Sequence, residues 1–212
     1  MLLPLLLLAC PDPTKDKAPA VVTEAVAPPA PVMAPPLTGA ALAPTPGWIT
    51  ATGTVGFQAA KVTRSHDANF GLNTILVQLE AGQLSAVKVE VTIASLKTDA
   101  AKLDAHLQSP DFFDAAAMPV ATFVSTAIRA GAPADSALLG ATHTVEGDLT
   151  IHGITKHVVV PAVIVAAGPG ITASTEFTIL RQDFGVTYPG KPDDLIADRV
   201  LIRVNLTAAS SG

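Results

Sequence analysis

The sequence predicts an all-β domain of about eight antiparallel strands, preceded by a long segment that is not part of it. Apolar and polar residues alternate most clearly over 87–93, 171–179 and 200–207, a period that is typical of strands with one buried face. Turn residues such as Gly82 and Gly153 separate the strands. The loops between them are mostly short, which favours antiparallel neighbours.

Weaker alternation predicts the remaining strands and leaves the closure of the sheet open. These strands are expected over 49–61, 68–80, 119–130, 141–152 and 156–166. Eight antiparallel strands can close into a barrel or stack as a sandwich, and a closed barrel either fills with side chains or holds one small ligand. The inward-facing residues are mainly Val, Ile, Ala, Leu and Gly, and small linings of this kind favour an apolar cavity over a solid core.

One stretch departs from the strand period and predicts a short helix. Thr98 or Asp99 can cap a helix over 99–108, in which two leucines lie four residues apart on one face. Pro110 ends the helix. The phenylalanine pair at 112–113 then offers a large apolar contact, which we interpret as a plug against the sheet.

Composition argues against several classes of function. The chain carries 13 basic and 18 acidic residues, a net charge of −5, so it has no basic surplus to bind nucleic acid. No apolar run reaches the ~20 residues of a membrane-spanning helix. The sequence has no Gly-x-Ser-x-Gly, His-Glu-x-x-His, P-loop or Cys-x-x-Cys pattern. We therefore predict a protein that is not an enzyme and needs no cofactor.

The N-terminus predicts an export signal and a lipid anchor. Residues 2–9 form a short apolar run, and Leu7-Leu8-Ala9-Cys10 resembles a bacterial lipobox. This resemblance implies a lipoprotein signal peptide over 1–9, cleavage before Cys10, and lipidation of Cys10 as the membrane contact. The expected location is the periplasm or the cell surface, because several acyl chains anchor a protein stably.

The segment that follows predicts a tether. Residues 11–47 contain ten of the 18 prolines and no aromatic residue, so they bury too little surface to fold alone. We expect a lipidated cysteine and a disordered Pro/Ala-rich linker over 10–47. The folded domain is expected over 48–209.

An ordered set of motifs resembles the YceI-like family of bacterial lipid-binding barrels. The motifs are Lys61-Val62 with His66, the segment 95–99, the segment 103–114, Met118-Pro119 with Thr122-Phe123 and Ser125-Thr126, the segment 145–156, and the segment 181–185 with Asp198 and Val200. The resemblance implies an eight-stranded antiparallel lipocalin-like barrel with one short helical insertion around 99–114. It also implies that the barrel binds a long isoprenoid chain, in the periplasm or beyond.

The candidate ligand-binding residues combine an apolar wall with two polar groups. They are Val89, Val91, Phe177, Ile179, Val204, Arg181 and His143. Arg181 continues the inward parity of Phe177 and Ile179, so it can bind a phosphate or carbonyl head group. A structural ion pair with Asp183 or Asp198 is the favoured alternative, because a buried guanidinium needs a partner. His143 can contact a head group or act as a satisfied core histidine.

Two other polar arrangements are weaker candidates. His152 and His157 flank a predicted four-residue hairpin loop that would place them opposite each other, with Asp148 nearby. A zinc site needs further ligands, so no metal is predicted. Asp111 and Asp114 are better explained as a solvated helix end than as paired catalytic carboxylates.

The favoured function is binding of a long-chain isoprenoid or similar amphiphilic lipid, for carriage, storage or sequestration in the cell envelope. One alternative is a solidly packed structural or partner-binding lipoprotein without cargo. Another is an enzyme that uses His143 and Arg181 on a bound lipid. A continuous apolar cavity would support the lipid carrier, a filled core would support the cargo-free lipoprotein, and facing titratable groups at the cavity mouth would support the enzyme.

Overall fold

The computed structural model describes residues 12, 14–17, 19–25, 47–134, 136–168 and 170–209. The signal segment, Cys10 and residues 26–46 of the expected linker lie outside the described residues. Twelve strands and one α-helix occur within them: β1 Val21–Glu24, β2 Ile49–Lys61, β3 Arg64–Phe70, β4 Asn73–Glu80, β5 Gln83–Thr92, β6 Leu96–Thr98, α1 Ala101–Leu107, β7 Val120–Ala130, β8 His143–Ile151, β9 Ile154–Ala167, β10 Gly170–Leu180, β11 Gly190–Lys191 and β12 Asp194–Ala208.

Eight of these strands close into an antiparallel barrel. The order around the wall is β2, β4, β5, β7, β8, β9, β10 and β12, and β12 then pairs with β2 from Val200↔Ala59 to Thr207↔Thr52. Closure removes the free sheet edges that a sandwich would keep. The predicted eight-stranded antiparallel barrel is confirmed.

The strand expected over 68–80 is broken in two. Gly71 and Leu72 separate β3 from β4, and Ser95 holds the break through its carbonyl and its hydroxyl. As a result, the first part of β2 pairs with β4 and its last part pairs with β3. Strand β6 then extends the β3 edge. Alternation alone could not locate this change of partner, because both halves keep the strand period.

The two ends of the barrel differ. The helix end carries α1, the tight turn at His152 and Gly153, and a 3₁₀ helix over Arg181–Phe184. The loop end carries the turn at Ala81 and Gly82 and the 131–142 connection. The predicted insertion around 99–114 therefore lies at one end of the barrel, where it can restrict access to the interior.

Helix α1 begins one or two residues later than a Thr98 or Asp99 cap would place it. Its N-cap is Ala100, which makes no side-chain capping bond. The Thr98 hydroxyl instead lies 2.7 Å from Asp104 Oδ1 and 2.9 Å from the Ala100 carbonyl, and the Thr98 amide donates to Asp104. The predicted cap was wrong because the Thr98 side chain bonds to Asp104 and so connects α1 to β6, and the N-cap position is taken by Ala100.

The interior contains two apolar clusters. The aromatic cluster surrounds α1, the 181–186 segment and the walls formed by β8, β9 and β10, and its buried phenylalanines are Phe57, Phe112, Phe177 and Phe184. The aliphatic cluster surrounds β4 and β5 with the adjoining ends of β2, β10 and β12. Its buried members are all Ala, Val, Ile or Leu.

Strand β1 corrects the expected linker over part of its length. Residues 21–24 pair antiparallel with residues 156–159 of β9, Ala20 is buried in the aromatic cluster, and the Ala20 amide donates to the Thr178 carbonyl of β10 at 2.8 Å. Low aromatic content does not prevent such pairing, because a neighbouring strand edge supplies the backbone partners.

Candidate functional site: an apolar cavity in the barrel

The barrel encloses a cavity of about 190 Å³. Seven of the eight barrel strands contribute to its wall, all except β4, and the loop after β10 adds Phe184 and Val186. The polar side chains among its lining residues are Thr122, Ser174, Thr175 and Arg181. The lining therefore presents carbon to an occupant almost everywhere, with Arg181 as its charged member.

Strand β5 shows how the sequence builds this wall. Val87, Val89 and Val91 are buried and line the cavity, whereas Lys88 and Glu90 alternate with them on the outer face. Lys88 Nζ lies over the ring of Trp48, 4.4 Å from its centroid, outside the barrel. Two-residue periodicity thus assigns each side chain to the cavity or to the exterior.

Aromatic side chains close the wall at the helix end. The rings of Phe57 and Phe113 are 5.8 Å apart, and Phe112 lies 5.1 Å from Tyr188. Phe184 has no exposed surface. The predicted contact of the 112–113 pair with the sheet is confirmed, since both phenylalanines line the cavity.

Arg181 reaches the cavity at the helix end but is held by backbone. Its side chain is 6% exposed and donates to the carbonyls of Val186 at 2.6 Å, Ala197 at 3.1 Å and Ile196 at 3.2 Å. Burial lowers the pKa of the guanidinium below its usual value, and the charge of Asp198 partly offsets this effect. Three donors thus fasten the 186–197 loop to the end of β10.

The expected ion pair of Arg181 is wrong in its direct form. Among the described residues, neither Asp183 nor Asp198 makes a salt bridge to the guanidinium. Asp198 Oδ1 instead accepts a bond from the Gln182 amide at 3.0 Å. Parity could not foresee this arrangement, because the strand ends at Leu180 and the chain turns into a 3₁₀ helix.

The other predicted site residues divide into two groups. The five apolar ones, Val89, Val91, Phe177, Ile179 and Val204, all line the cavity together with Arg181. His143 does not line it: this histidine lies at the loop end, and its Nδ1 is 2.8 Å from the Thr142 hydroxyl. The structure therefore places Arg181 and His143 at opposite ends of the barrel.

The histidines considered for zinc are not brought together. His152 and Gly153 form a two-residue turn, so Ile151 pairs with Ile154 and His157 pairs with Asp148. The His157 Nδ1 lies 2.9 Å from Asp148 Oδ1. Across the described residues, no group of three or more His, Cys, Asp or Glu side chains is placed to hold a metal ion.

Many lining residues were not named as site residues, and two of them, Phe184 and Val186, could not have been found from alternation. Phe184 and Val186 follow the end of β10 and lie outside any alternating run. Gly185 between them has φ 74°, a left-handed conformation that turns the chain back over the barrel mouth. The only sequence signal was the phrase 181–185 itself, which has no period to assign a face.

A comparison with models of protein families agrees with this architecture. The model of the YceI-like domain matches residues 49–208, which is the barrel from the start of β2 to the end of β12. The chain belongs to the YceI-like family. The resemblance drawn from the sequence motifs is confirmed, and the barrel with its apolar cavity is that family's domain in this chain.

Curated relatives of this YceI-like chain match part of it. A UPF0312 protein of Pseudomonas fluorescens is 44% identical over 106 residues, covering 47% of this chain and 52% of the relative. A UPF0312 protein of Pseudomonas syringae pv. tomato is 36% identical over 116 residues, covering 51% and 56%. The chain thus spans about half the length of the curated relatives it matches.

Solved structures share the barrel. Burkholderia cenocepacia BcnA is 28% identical with a TM-score of 0.64, covering 74% of this chain and 96% of BcnA. A protein from Saccharophagus degradans, described as a polyisoprenoid binding domain implicated in plant cell wall breakdown, is 13% identical with a TM-score of 0.61, covering 78% and 99%. At 13% identity, that likeness shows the fold alone.

Among the described residues, no helix has the length and apolarity to cross a bilayer.

Proposed function

We propose that this YceI-like protein binds a long-chain isoprenoid or a similar amphiphilic lipid inside the barrel, for carriage, storage or sequestration in the cell envelope. The observation that carries this proposal is the cavity of about 190 Å³, lined by apolar side chains from seven of the eight barrel strands. A filled core, which the cargo-free alternative requires, would leave no such volume. The polyisoprenoid-binding description of the Saccharophagus neighbour agrees with this ligand class.

Burial of apolar carbon can supply enough free energy to bind such a lipid. Burial of about ten carbons at ~0.8 kcal/mol each gives about 8 kcal/mol, which corresponds to micromolar affinity. Loss of chain and rotational entropy reduces this value. A preformed cavity limits the loss, because the closed β2–β12 ladder holds the wall without the ligand.

The test is binding of dansyl-labelled geranylgeraniol, followed by fluorescence. Val204→Trp places an indole in the cavity, whereas the matched variant Asn205→Trp places one on the exposed outer face of the same strand. We expect Val204→Trp to weaken binding by about 100-fold, since an occupied cavity excludes the chain, and Asn205→Trp to leave it unchanged. Circular dichroism checks that both variants are folded.

Equal affinity of the two folded tryptophan variants would place the ligand outside the barrel and refute the proposal. An independent check is native mass spectrometry of the purified full chain, followed by extraction of its lipid. Recovery of an isoprenoid supports the cavity as its site, whereas repeated recovery of the chain without lipid supports the cargo-free alternative.

The membrane anchor is a separate part of the proposal. Cys10 in the lipobox-like ending is expected to carry acyl chains that tether the barrel to an envelope membrane, in the periplasm or at the cell surface. Cys10→Ser should release the protein from membranes while the unfolding curve of the barrel stays unchanged. Intact-mass analysis of the mature protein without acyl chains, or with another N-terminal residue, would contradict this expectation.

A further inference from the structure

The barrel wall has one seam that its own strands do not complete. Strand β10 pairs with β12 over ten residues, from Ile171 to Leu180, but with β9 over only five, from Gly170 to Ser174. Beyond that point, β9 still pairs with β8 along its other edge but no longer pairs with β10. The edges of β9 and β10 therefore part toward the helix end.

Pro161 gives the physical reason for this parting. Proline has no backbone N–H to donate to a ladder, so it is confined to strand edges and to places where pairing stops. The Thr175 hydroxyl donates to the Pro161 carbonyl at 2.6 Å, which takes the place of a backbone bond. From Pro161 to the start of β9, this strand has an edge that needs another partner.

Residues 19–24, the seam strand, fill this gap. Val22 opposes Val158 of β9, and Pro19 forms a parallel bridge with Thr178 of β10. Ala20 and Val22 pack into the aromatic cluster, while Val21 faces outward and is 59% exposed. The strand thus fills the gap between β9 and β10, and its two small inward side chains pack beside the cavity without lining it.

The strand edges on either side of the seam carry side chains that line the cavity. Val160 and Ala162 on β9, and Phe177 and Ile179 on β10, all line the apolar cavity and belong to the same cluster as Ala20. Removal of the seam strand would therefore open the cavity sideways. The helix end, in contrast, is covered by bulky aromatic side chains.

The seam strand is also the most weakly held part of the wall. It has four paired residues with β9 and one bridge to β10, where ordinary barrel strands pair along both edges. Two ion pairs flank it, Lys17 with Glu176 before the strand and Glu24 with Lys156 at its end. Exposed pairs of this kind contribute little, so this segment belongs to the low-stability range that opens locally.

An anchor lies just before the seam strand. Thr14 is fully buried, and its amide and hydroxyl donate to Asp12 Oδ1 at 2.9 and 2.7 Å. The pKa of Asp12 is lowered chiefly by these bonds, with a smaller contribution from the charge of Arg199 on β12. Burial of Thr14 and the attraction between Asp12 and Arg199 connect the segment before the seam strand to the barrel, so this segment can stay in place while the seam strand detaches.

We propose that the seam between β9 and β10 is the port through which an apolar ligand enters and leaves the barrel, and that residues 19–24 are its gate. This inference rests on the proposed lipid binding. Detachment of the gate exposes a slot bounded by Val160, Ala162, Phe177 and Ile179, so a flexible chain passes sideways without unfolding the aromatic end. Return of the gate restores the backbone bonds and seals the cavity from water.

The test locks the gate with a disulfide. Val21→Cys and Val159→Cys place a disulfide between the gate and β9, at two outward-facing residues that pair with each other. Both substitutions are made in the full chain carrying Cys10→Ser, so that no third thiol interferes. The matched control is Thr172→Cys with Thr207→Cys, an exposed pair on the permanently joined strands β10 and β12. Dissociation of dansyl-labelled geranylgeraniol is followed after addition of excess unlabelled alcohol.

We expect the oxidised lock to slow both association and dissociation by about tenfold or more, a rise of about 1.4 kcal/mol in the barrier. Reduction should restore the rates, and the equilibrium affinity should change little, because the gate adds no side chain to the cavity lining. The control disulfide should leave the rates unchanged. Equal rates for the oxidised and reduced lock would overturn the proposal.

A second variant tests the gate by weakening its attachment instead of locking it. Lys17→Ala with Glu24→Ala removes both flanking ion pairs and should speed dissociation by about threefold, the scale of exposed ion pairs. Arg129→Ala, which breaks an exposed pair with Glu146 on another wall, is the control and should not. If the unmodified chain binds no probe, the proposed function fails; if it binds and neither gate variant changes the rates, only the port is refuted.

Discussion

The aromatic and aliphatic clusters line the same cavity but differ in how they are held. The aromatic cluster contains the four buried phenylalanines, the anchoring bonds of Arg181 and the contact with the seam strand. The aliphatic cluster is built mainly from short side chains on β4, β5 and neighbouring strand ends, and Phe113 and Ala115 of the loop after α1 pack against it. The first region depends on tertiary contacts between distant segments, whereas the second follows from alternation along paired strands.

This difference explains how one barrel can be closed at an end and still contain volume. Large rings at the helix end meet each other at 5–6 Å and occupy the opening. Small β-branched residues such as Val87, Val89 and Val91 project less far into the barrel, so they leave room along its wall. We therefore expect truncation of a large ring in the aromatic cluster to cost more stability than shortening of a side chain in the aliphatic cluster.

The largest expected effect is that of Phe184→Ala. Phe184 has no exposed surface, and truncation of a buried phenylalanine leaves a cavity at a cost of about 3–5 kcal/mol. Urea unfolding followed by circular dichroism measures the loss. A change below about 1 kcal/mol would mean that the helix end collapses around the vacancy and is not a fixed closure.

Arg181→Met should destabilise the protein by about 3 kcal/mol. The methionine keeps the apolar stem but removes the donors to three carbonyls, and each buried acceptor left unpaired costs about 1–3 kcal/mol. Arg129→Met, which removes an exposed ion pair, should cost less than about 1 kcal/mol. Denaturant unfolding of both variants makes the comparison.

The same variant decides whether Arg181 also binds the ligand. If its role is only structural, squalene and geranylgeranyl phosphate should keep their affinities per folded molecule, measured by titration against Arg181→Met. A selective loss for the phosphate would instead show that the two N–H groups not used on backbone reach a head group.

A smaller effect is expected for Ile75→Val in the aliphatic cluster. Ile75 is 1% exposed, and loss of one methylene at such a site costs about 0.5–1.5 kcal/mol. Calorimetric unfolding measures the change in stability, and the dansyl probe measures binding. A loss as large as that of Phe184→Ala would remove the proposed contrast between the two clusters.

The smallest expected effect appears only in acid. Bonds from the Thr98 hydroxyl and amide hold the pKa of Asp104 below its ordinary value of 3.8 in the folded protein. The carboxylate therefore stabilises the α1 attachment at neutral pH, and this contribution is lost as the pH falls from about 4 through the lowered folded value. Asp104→Asn should flatten this part of the stability–pH curve.

A matched control for the acid effect is Asp193→Asn, an exposed carboxylate in the 192–193 turn. Its unfolding free energy should follow that of the unmodified protein from about pH 5 to about pH 2. If Asp104→Asn behaves in the same way, the Thr98–Asp104 bonds do not hold the helix end.

The sequence by itself determined the strands and the side chains that face the cavity. Val89, Val91, Phe177, Ile179 and Val204 were assigned correctly because the strand period of two is a local property of the backbone. The motif order also identified the family, and with it the closed barrel. Closure itself was not readable from alternation, because a sandwich has the same period.

Only the tertiary structure decided what happens where strands end or change partner. The carbonyl partners of Arg181, the break between β3 and β4, and the pairing of residues 19–24 with the seam all depend on contacts outside the alternation of a single strand. No local period encodes such contacts. Residues 19–24 cannot fold alone, and they pair here because Pro161 leaves β9 with an edge that another strand can satisfy.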